Sequence, residues 1–126
     1  MAHDPHHEHL IKEIAEMWAP VFKHSPQAVY VYLDDEHKIC NKKYAEMLGY
    51  KSVSEWVKNP YPIDDTLEKD QEKGIKAYMD ASEKFKASSF SGSLVTKKGR
   101  KIKTSVTVVP FTYKGEVFVL HFFSKS

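Results

Sequence analysis

The chain has 126 residues, 41% hydrophobic and 13% aromatic, which suits one domain with its own core and excludes bulk disorder. Its 19 basic and 17 acidic side chains leave a net charge of +2, so charge gives no case for a nucleic-acid or membrane partner. The single cysteine, Cys40, excludes an internal disulfide, a cysteine-rich zinc site and haem attachment through paired cysteines.

Residues 1–9 read as a polar, histidine-rich terminus carrying His3, His6, His7 and His9. Terminal histidines can bind nickel or zinc, but nothing in this stretch fixes a tetrahedral arrangement, and no metal ligand is assigned. Over 10–24, Leu10, Ile11, Ile14, Met17, Trp18, Val21 and Phe22 recur at helical spacing and predict an amphipathic helix. Pro20 is expected to kink or end it. The stripe is too wide for one contact, so Leu10, Ile14, Met17, Trp18 and Val21 are expected to form a homodimer interface as well as to pack on their own domain.

Over 27–33, Val29, Val31 and Leu33 alternate with Tyr30 and Tyr32, a strand with bulk on both faces and therefore covered on both. Asp34, Asp35 and Glu36 form a turn without calcium-loop spacing, and 37–40 returns as a second strand. The segment NKKYAEMLGY follows. Asn41 can cap a helix by accepting from the amide of the third helical residue. Tyr44, Met47 and Leu48 share one face, and Gly49 can take the left-handed conformation that closes the helix. Next comes SVSE, a capping box from Ser52 to Glu55, with Val53, Trp56 and Val57 facing inward.

After the loop NPYPIDD, Asp65 is expected to cap a long helix over 66–85, with Glu68 as its reciprocal partner. Leu67, Gln71, Ile75, Tyr78, Ser82 and Phe85 trace its expected inward stripe. Gly74 costs that helix about 1 kcal/mol relative to Ala, and close packing against a neighbouring backbone is the expected reason for it. A long hairpin follows, with Phe90, Leu94, Ile102, Thr104, Val106 and Val108 on one face. In the last strand Phe118, Leu120 and Phe122 form one apolar face. Val117, Val119, His121 and Phe123 form the other, which the N-terminal helix is expected to cover. A strand apolar on both faces belongs in the middle of a sheet. The predicted fold is α+β, a five-stranded antiparallel sheet with helices mainly on one face and an N-terminal amphipathic helix.

Over about 25–124 this order resembles a PAS domain. The resemblance rests on Asn41 at the opening of the first core helix, Gly49 and Tyr50 at its exit, Asp65 in a loop similar to the family's Pro-Asp-Asp pattern, and Gly99 and Gly115 in the two hairpin turns. These are caps and turns, so they transfer a fold and no chemistry. The resemblance divides the chain into the terminus 1–9, the helix 10–24 and a PAS core 25–126. It implies a stand-alone sensory or protein-interaction module in signal transduction and not an enzyme.

Family members that form a flavin adduct place a cysteine in an Asn-Cys-Arg motif near the start of the long helix. Here that region reads PIDDTLEK. Members that bind haem commonly use a histidine of the long helix. None lies in 66–85, which leaves His24, His37 and His121 as unorthodox ligands. A flavin adduct and an axial-histidine haem are therefore argued against, and the cofactor stays unassigned.

A phosphate loop, a nucleophile elbow and an HExxH motif are all lacking, and no catalytic residue is assigned. A small apolar ligand is expected between Phe118, Leu120 and Phe122 on the sheet and Trp56, Tyr78 and Met79 on the helices. Two alternatives remain open. One is a small enzyme or carrier on a nuclear-transport-factor-like cone, using Asp80 and His121. The other is a structural dimerisation domain with a filled core. Little chain follows the last strand, so output is expected through a homodimer surface or a separate signalling protein. No apolar run reaches membrane-span length and no signal-peptide core opens the chain, so a cytoplasmic location is expected.

Overall fold

The computed structural model describes residues 5–126; His3 lies outside them. Helix α1 (Pro5–His24) leads into strands β1 (Ala28–Tyr32) and β2 (Lys38–Cys40). Helices α2 (Lys42–Met47), α3 (Val53–Val57) and α4 (Gln71–Lys84) follow, then strands β3 (Ser88–Val95), β4 (Lys101–Tyr113) and β5 (Glu116–Lys125). The strands form one antiparallel sheet in the order β2-β1-β5-β4-β3, with β5 at its centre.

Local signals set most of these boundaries. Asn41 Oδ1 accepts from the amide of Tyr44 at 3.0 Å, the cap expected of it. The same oxygen takes the Val29 amide at 3.0 Å, and Asn41 Nδ2 donates to the Gln27 carbonyl at 2.9 Å. One buried side chain thus caps α2 and ties it to β1. Gly49 leaves α2 at φ +82°, where a side chain would be strained. Ser52 Oγ accepts from the Glu55 amide at 3.1 Å, while Glu55 reaches back to the Lys51 amide.

The N-terminal helix starts at Pro5 and not at residue 10, so residues 5–9 of the expected polar terminus are helical. Proline suits a first helical turn because its missing N–H has no intrahelical partner there. Pro20 does not end the helix, which runs on to His24. Its ring lies on the exposed side, where water can take up the carbonyl it leaves without a donor.

The long helix also begins elsewhere than expected. Two 3-10 turns, Pro62–Asp65 and Glu68–Asp70, come first, and Thr66 between them bridges to Leu94 in β3. Asp65 is therefore not the cap of α4. Asp70 stands at that position but sends its carboxylate to the Ser93 amide at 2.8 Å, which fastens the start of α4 to β3. Nor does α4 face inward as its larger side chains suggest. Ala77 and Ala81 are buried, whereas Ile75 is 47% and Phe85 55% exposed. Small residues let the helix approach the sheet closely; Tyr78 packs half-buried against the same core, and Ile75 and Phe85 reach solvent.

Each face of the sheet carries a core. On one, Leu10, Ile11 and Ile14 of α1 pack on Val29, Val31, Phe118 and Leu120. Burying each of these larger side chains contributes about 1.5–3 kcal/mol. On the other, α2, α3 and α4 bring Tyr44, Leu48, Trp56, Ala77 and Ala81 against Ala28, Val106, Val108, Val119 and Phe123. Helix α1 covers one face, as expected, but it is the face of Phe118, Leu120 and Phe122 and not that of Val119 and Phe123. Cross-strand register decides this. Val106 and Ala28 stand opposite Phe123, and Val108 and Tyr30 opposite His121, while Val29 and Val31 pair with Phe122 and Leu120.

Candidate functional site

A cavity of about 380 Å³ lies between the sheet and α4. Tyr30, Val106, Val108, His121 and Phe123 line it from the strands, and Gly74, Ile75, Tyr78 and Met79 from the helix. Gly74 borders this space without a side chain of its own. A Cβ built there meets nothing within 4 Å, so close backbone packing, the reason expected for this glycine, is absent. Ile75 and Met79, 47% and 46% exposed, give the cavity an apolar mouth.

The polar groups of the site are few. His121 is buried with its ring stacked on Tyr30, centroids 4.0 Å apart and planes 9° from parallel. Burial pushes its pKa down to about 3, against the pull of the Val119 and Tyr30 backbone, so the ring is neutral at pH 7. Among the described residues its buried Nδ1 has no hydrogen-bond partner. An orphaned polar atom of this kind costs about 1–3 kcal/mol unless something pairs with it. Near the rim, the Tyr32 hydroxyl donates to Asp35 Oδ1 at 2.6 Å, and the Tyr32 ring meets Tyr78 edge-on at 5.1 Å. Burial and the Asp35 carboxylate both raise the Tyr32 pKa, so this phenol keeps its proton.

A second polar cluster braces the site from behind. Asp65 Oδ2 accepts the Trp56 indole N–H at 2.8 Å, and its Oδ1 faces the Tyr50 hydroxyl at 3.5 Å and Asn59 Nδ2 at 3.4 Å. Burial raises the Asp65 carboxyl to about 6 despite these donors and the charge of Lys38. Lys38, only 1% exposed, donates to the Asp35 and Val57 carbonyls and lies over the Trp56 ring. The β1–β2 turn, α3 and the loop before α4 are joined in this way.

Of the residues expected around a ligand, Tyr78 and Met79 line the cavity. Trp56 is fully buried in the adjacent core and is not part of the lining. Phe118, Leu120 and Phe122 lie on the opposite face, beneath α1. Alternation alone missed Tyr30, His121 and Phe123; the signal that finds them is their register with Val106 and Val108. Among the residues expected at a dimer interface, Leu10 and Ile14 are buried on the protomer's own sheet, and Trp18 leans on Phe111 at 5.4 Å. Met17 and Val21 are 49% and 38% exposed. Asp80 is engaged by Lys76 at 2.7 Å and Lys84 at 3.9 Å, and His121 is stacked under Tyr30, so the cone-enzyme pair does not assemble.

The residues present do not fit a flavin adduct. Cys40, the only cysteine, is 3% exposed in the core, its thiol is pushed up to about 12 by burial, and it does not line the cavity. Helix α4 carries no histidine, and the histidine of the cavity is His121 on β5.

An antiparallel sheet of this strand order, with three helices folded over one face and a cavity beneath the longest, defines a PAS-type α+β domain. Solved structures agree, and the chain has the PAS fold. The PAS domain of an HTR-like protein from Haloarcula marismortui superposes with a TM-score of 0.69 at 18% identity, covering 98% of this chain and 100% of that one. The PAS domain of a protein from Colwellia psychrerythraea gives 0.66 at 19% identity, covering 93% and 97%. A domain of the sensory box sensor histidine kinase/response regulator from Geobacter sulfurreducens gives 0.64 at 14% identity, covering 91% and 96%. No family model matches the sequence, and no curated protein matches it. Among the described residues, no helix is long and apolar enough to cross a membrane.

Proposed function

We propose that the chain is a sensory module of signal transduction whose cavity between α4 and the sheet binds a small, mostly apolar organic molecule. The observation that carries this reading is the cavity of about 380 Å³ combined with the unpartnered Nδ1 of His121. An apolar site with few convergent polar groups is the usual form of a small-molecule pocket. A flat ligand with one polar edge suits a lining of Tyr30, Phe123, Val106 and Val108 beside a neutral imidazole. The sensor-kinase context of the Geobacter domain supports a signalling role and says nothing of the ligand.

Output in this reading passes through α1. Met17 and Val21 leave an apolar strip exposed on that helix, which supports homodimerisation, with a separate signalling protein as the recipient. No catalytic step is assigned. Native mass spectrometry of protein purified without denaturation tests the ligand. A co-purifying organic mass that is retained by the wild type and lost on filling the cavity is the expected result. A protein that carries no such mass, and that no small aromatic compound stabilises in a thermal-shift screen, overturns the sensor reading and leaves the structural dimerisation domain.

A further inference from the structure

Helix α1 meets the β1–β2 turn through three side chains of metal-binding type. His7 lies in the first turn of α1, and Asp34 and His37 bracket the β1–β2 turn. His7 Nδ1 is 2.7 Å from Asp34 Oδ2, and His37 Nδ1 is 2.7 Å from Asp34 Oδ1. One ligand atom from each residue lies within 4.8 Å of the other two. The two imidazoles meet edge to face with centroids 5.8 Å apart.

This arrangement is held from below. Asp34 Oδ1 also accepts the amides of Glu36 at 2.9 Å and His37 at 2.8 Å, which fixes the carboxylate in the turn. His37 is 5% exposed, so its ring has little freedom. His7 and Asp34 are 25% and 27% exposed, which leaves a solvent side for an ion to enter.

We propose that His7, Asp34 and His37 form a site for a divalent transition metal of the zinc class, closing α1 onto the β1–β2 turn. Two imidazole nitrogens and one carboxylate oxygen suit zinc and its neighbours and not calcium or magnesium, which take oxygen ligands. Tetrahedral bonds of about 2.0–2.1 Å set donor atoms roughly 3.3 Å apart; the two 2.7 Å contacts open by about half an ångström, and all three ligand atoms start within 4.8 Å of one another. Coordination through Nδ1 leaves each imidazole neutral with its proton on Nε2, any second proton passing to solvent, and water completes the fourth position from the solvent side. The site is separate from the cavity, which none of the three residues lines. Metal binding is therefore a second input, acting on the helix proposed to carry output. The sequence alone assigned no metal here, because His7 and Asp34 are 27 positions apart.

The test uses the intact protein, stripped with chelator and titrated with Zn²⁺ by calorimetry and with Co²⁺ by visible absorption. The neighbouring His3, His6 and His9 can chelate either probe without this site, so they are replaced together by glutamine in a control variant. One equivalent is expected to bind the wild type with an intense tetrahedral Co²⁺ band. Affinity within threefold of wild type is expected in the triple control, and at least a tenfold loss in His7→Gln and in Asp34→Asn. Because Asp34 also orders its turn, His7→Gln on the helix surface is the decisive variant, with circular dichroism checking its fold. Binding lost in the triple control but kept in His7→Gln means chelation by the terminus and overturns the proposal. So does the absence of saturable one-equivalent binding by the wild type.

Discussion

The indole N–H of Trp56 donates to Asp65 Oδ2 at 2.8 Å, joining the one fully buried tryptophan to a carboxyl that burial raises from 3.8 to about 6. The sign of its pH dependence follows. In the unfolded chain the group ionises near 3.8 and in the folded one near 6, so between these values the folded state binds more protons. Stability from this group therefore falls as pH rises through that window, and the full penalty, up to ~3 kcal/mol, is present above it. Asp65→Asn keeps an acceptor for Trp56 and removes the buried charge. It should be more stable than the wild type in urea at about pH 8, with the advantage shrinking toward zero near pH 4. An advantage independent of pH would refute the assignment.

His121→Phe tests the orphaned nitrogen. Phenylalanine keeps the stack on Tyr30 and removes the unpaired polar atom, so ligand-free protein should gain about 1–3 kcal/mol while ligand retention falls. The wild-type imidazole stays neutral in the fold down to about pH 3 but takes up a proton near 6.5 once unfolded. Its contribution is thus complete above 6.5 and is lost as pH falls toward 3. Thermal midpoints measured across that range should slope less in His121→Phe than in the wild type.

Gly74 separates helix stability from cavity volume. Gly74→Ala meets no atom within 4 Å and should stabilise α4 by up to ~1 kcal/mol with ligand binding unchanged. Gly74→Leu reaches into the space the glycine leaves and should reduce ligand retention without unfolding the chain. Chemical denaturation and native mass spectrometry read the two effects separately. A destabilised Gly74→Ala would show that the backbone at this position is not helical in solution.

The exposed strip of α1 predicts a dimer at high micromolar concentration by light scattering. Met17→Glu with Val21→Glu should give folded monomers, since both side chains already reach solvent. Ile14→Glu is a different experiment. Ile14 is fully buried against the sheet, and a carboxylate there should undock α1 at a cost of several kcal/mol instead of yielding an intact monomer. Wild-type protein that scatters as a monomer at that concentration would end the dimer proposal.

Local chemistry carried much of the fold. Asn41 and Ser52 announce their helices because capping depends on atoms three residues away. Gly49, Gly99 and Gly115 mark turns because positive φ is a property of one residue. The central place of β5 was legible from its apolar residues on both faces, and the strip on α1 showed that this helix covers one of them. Sequence could not say which face. With both faces apolar, a one-residue change of parity leaves the hydrophobic pattern nearly intact, and only pairing with β1 and β4 sets it. That single ambiguity moved Phe118, Leu120 and Phe122 away from the cavity and brought in His121 and Phe123. The same limit applies to α4, whose small residues turn inward because the sheet approaches closely. It applies also to Asp65, a cap by local pattern and a partner of Trp56 in space, and to His7, Asp34 and His37. Side chains far apart in the chain meet only through packing, and packing is decided by all the elements together.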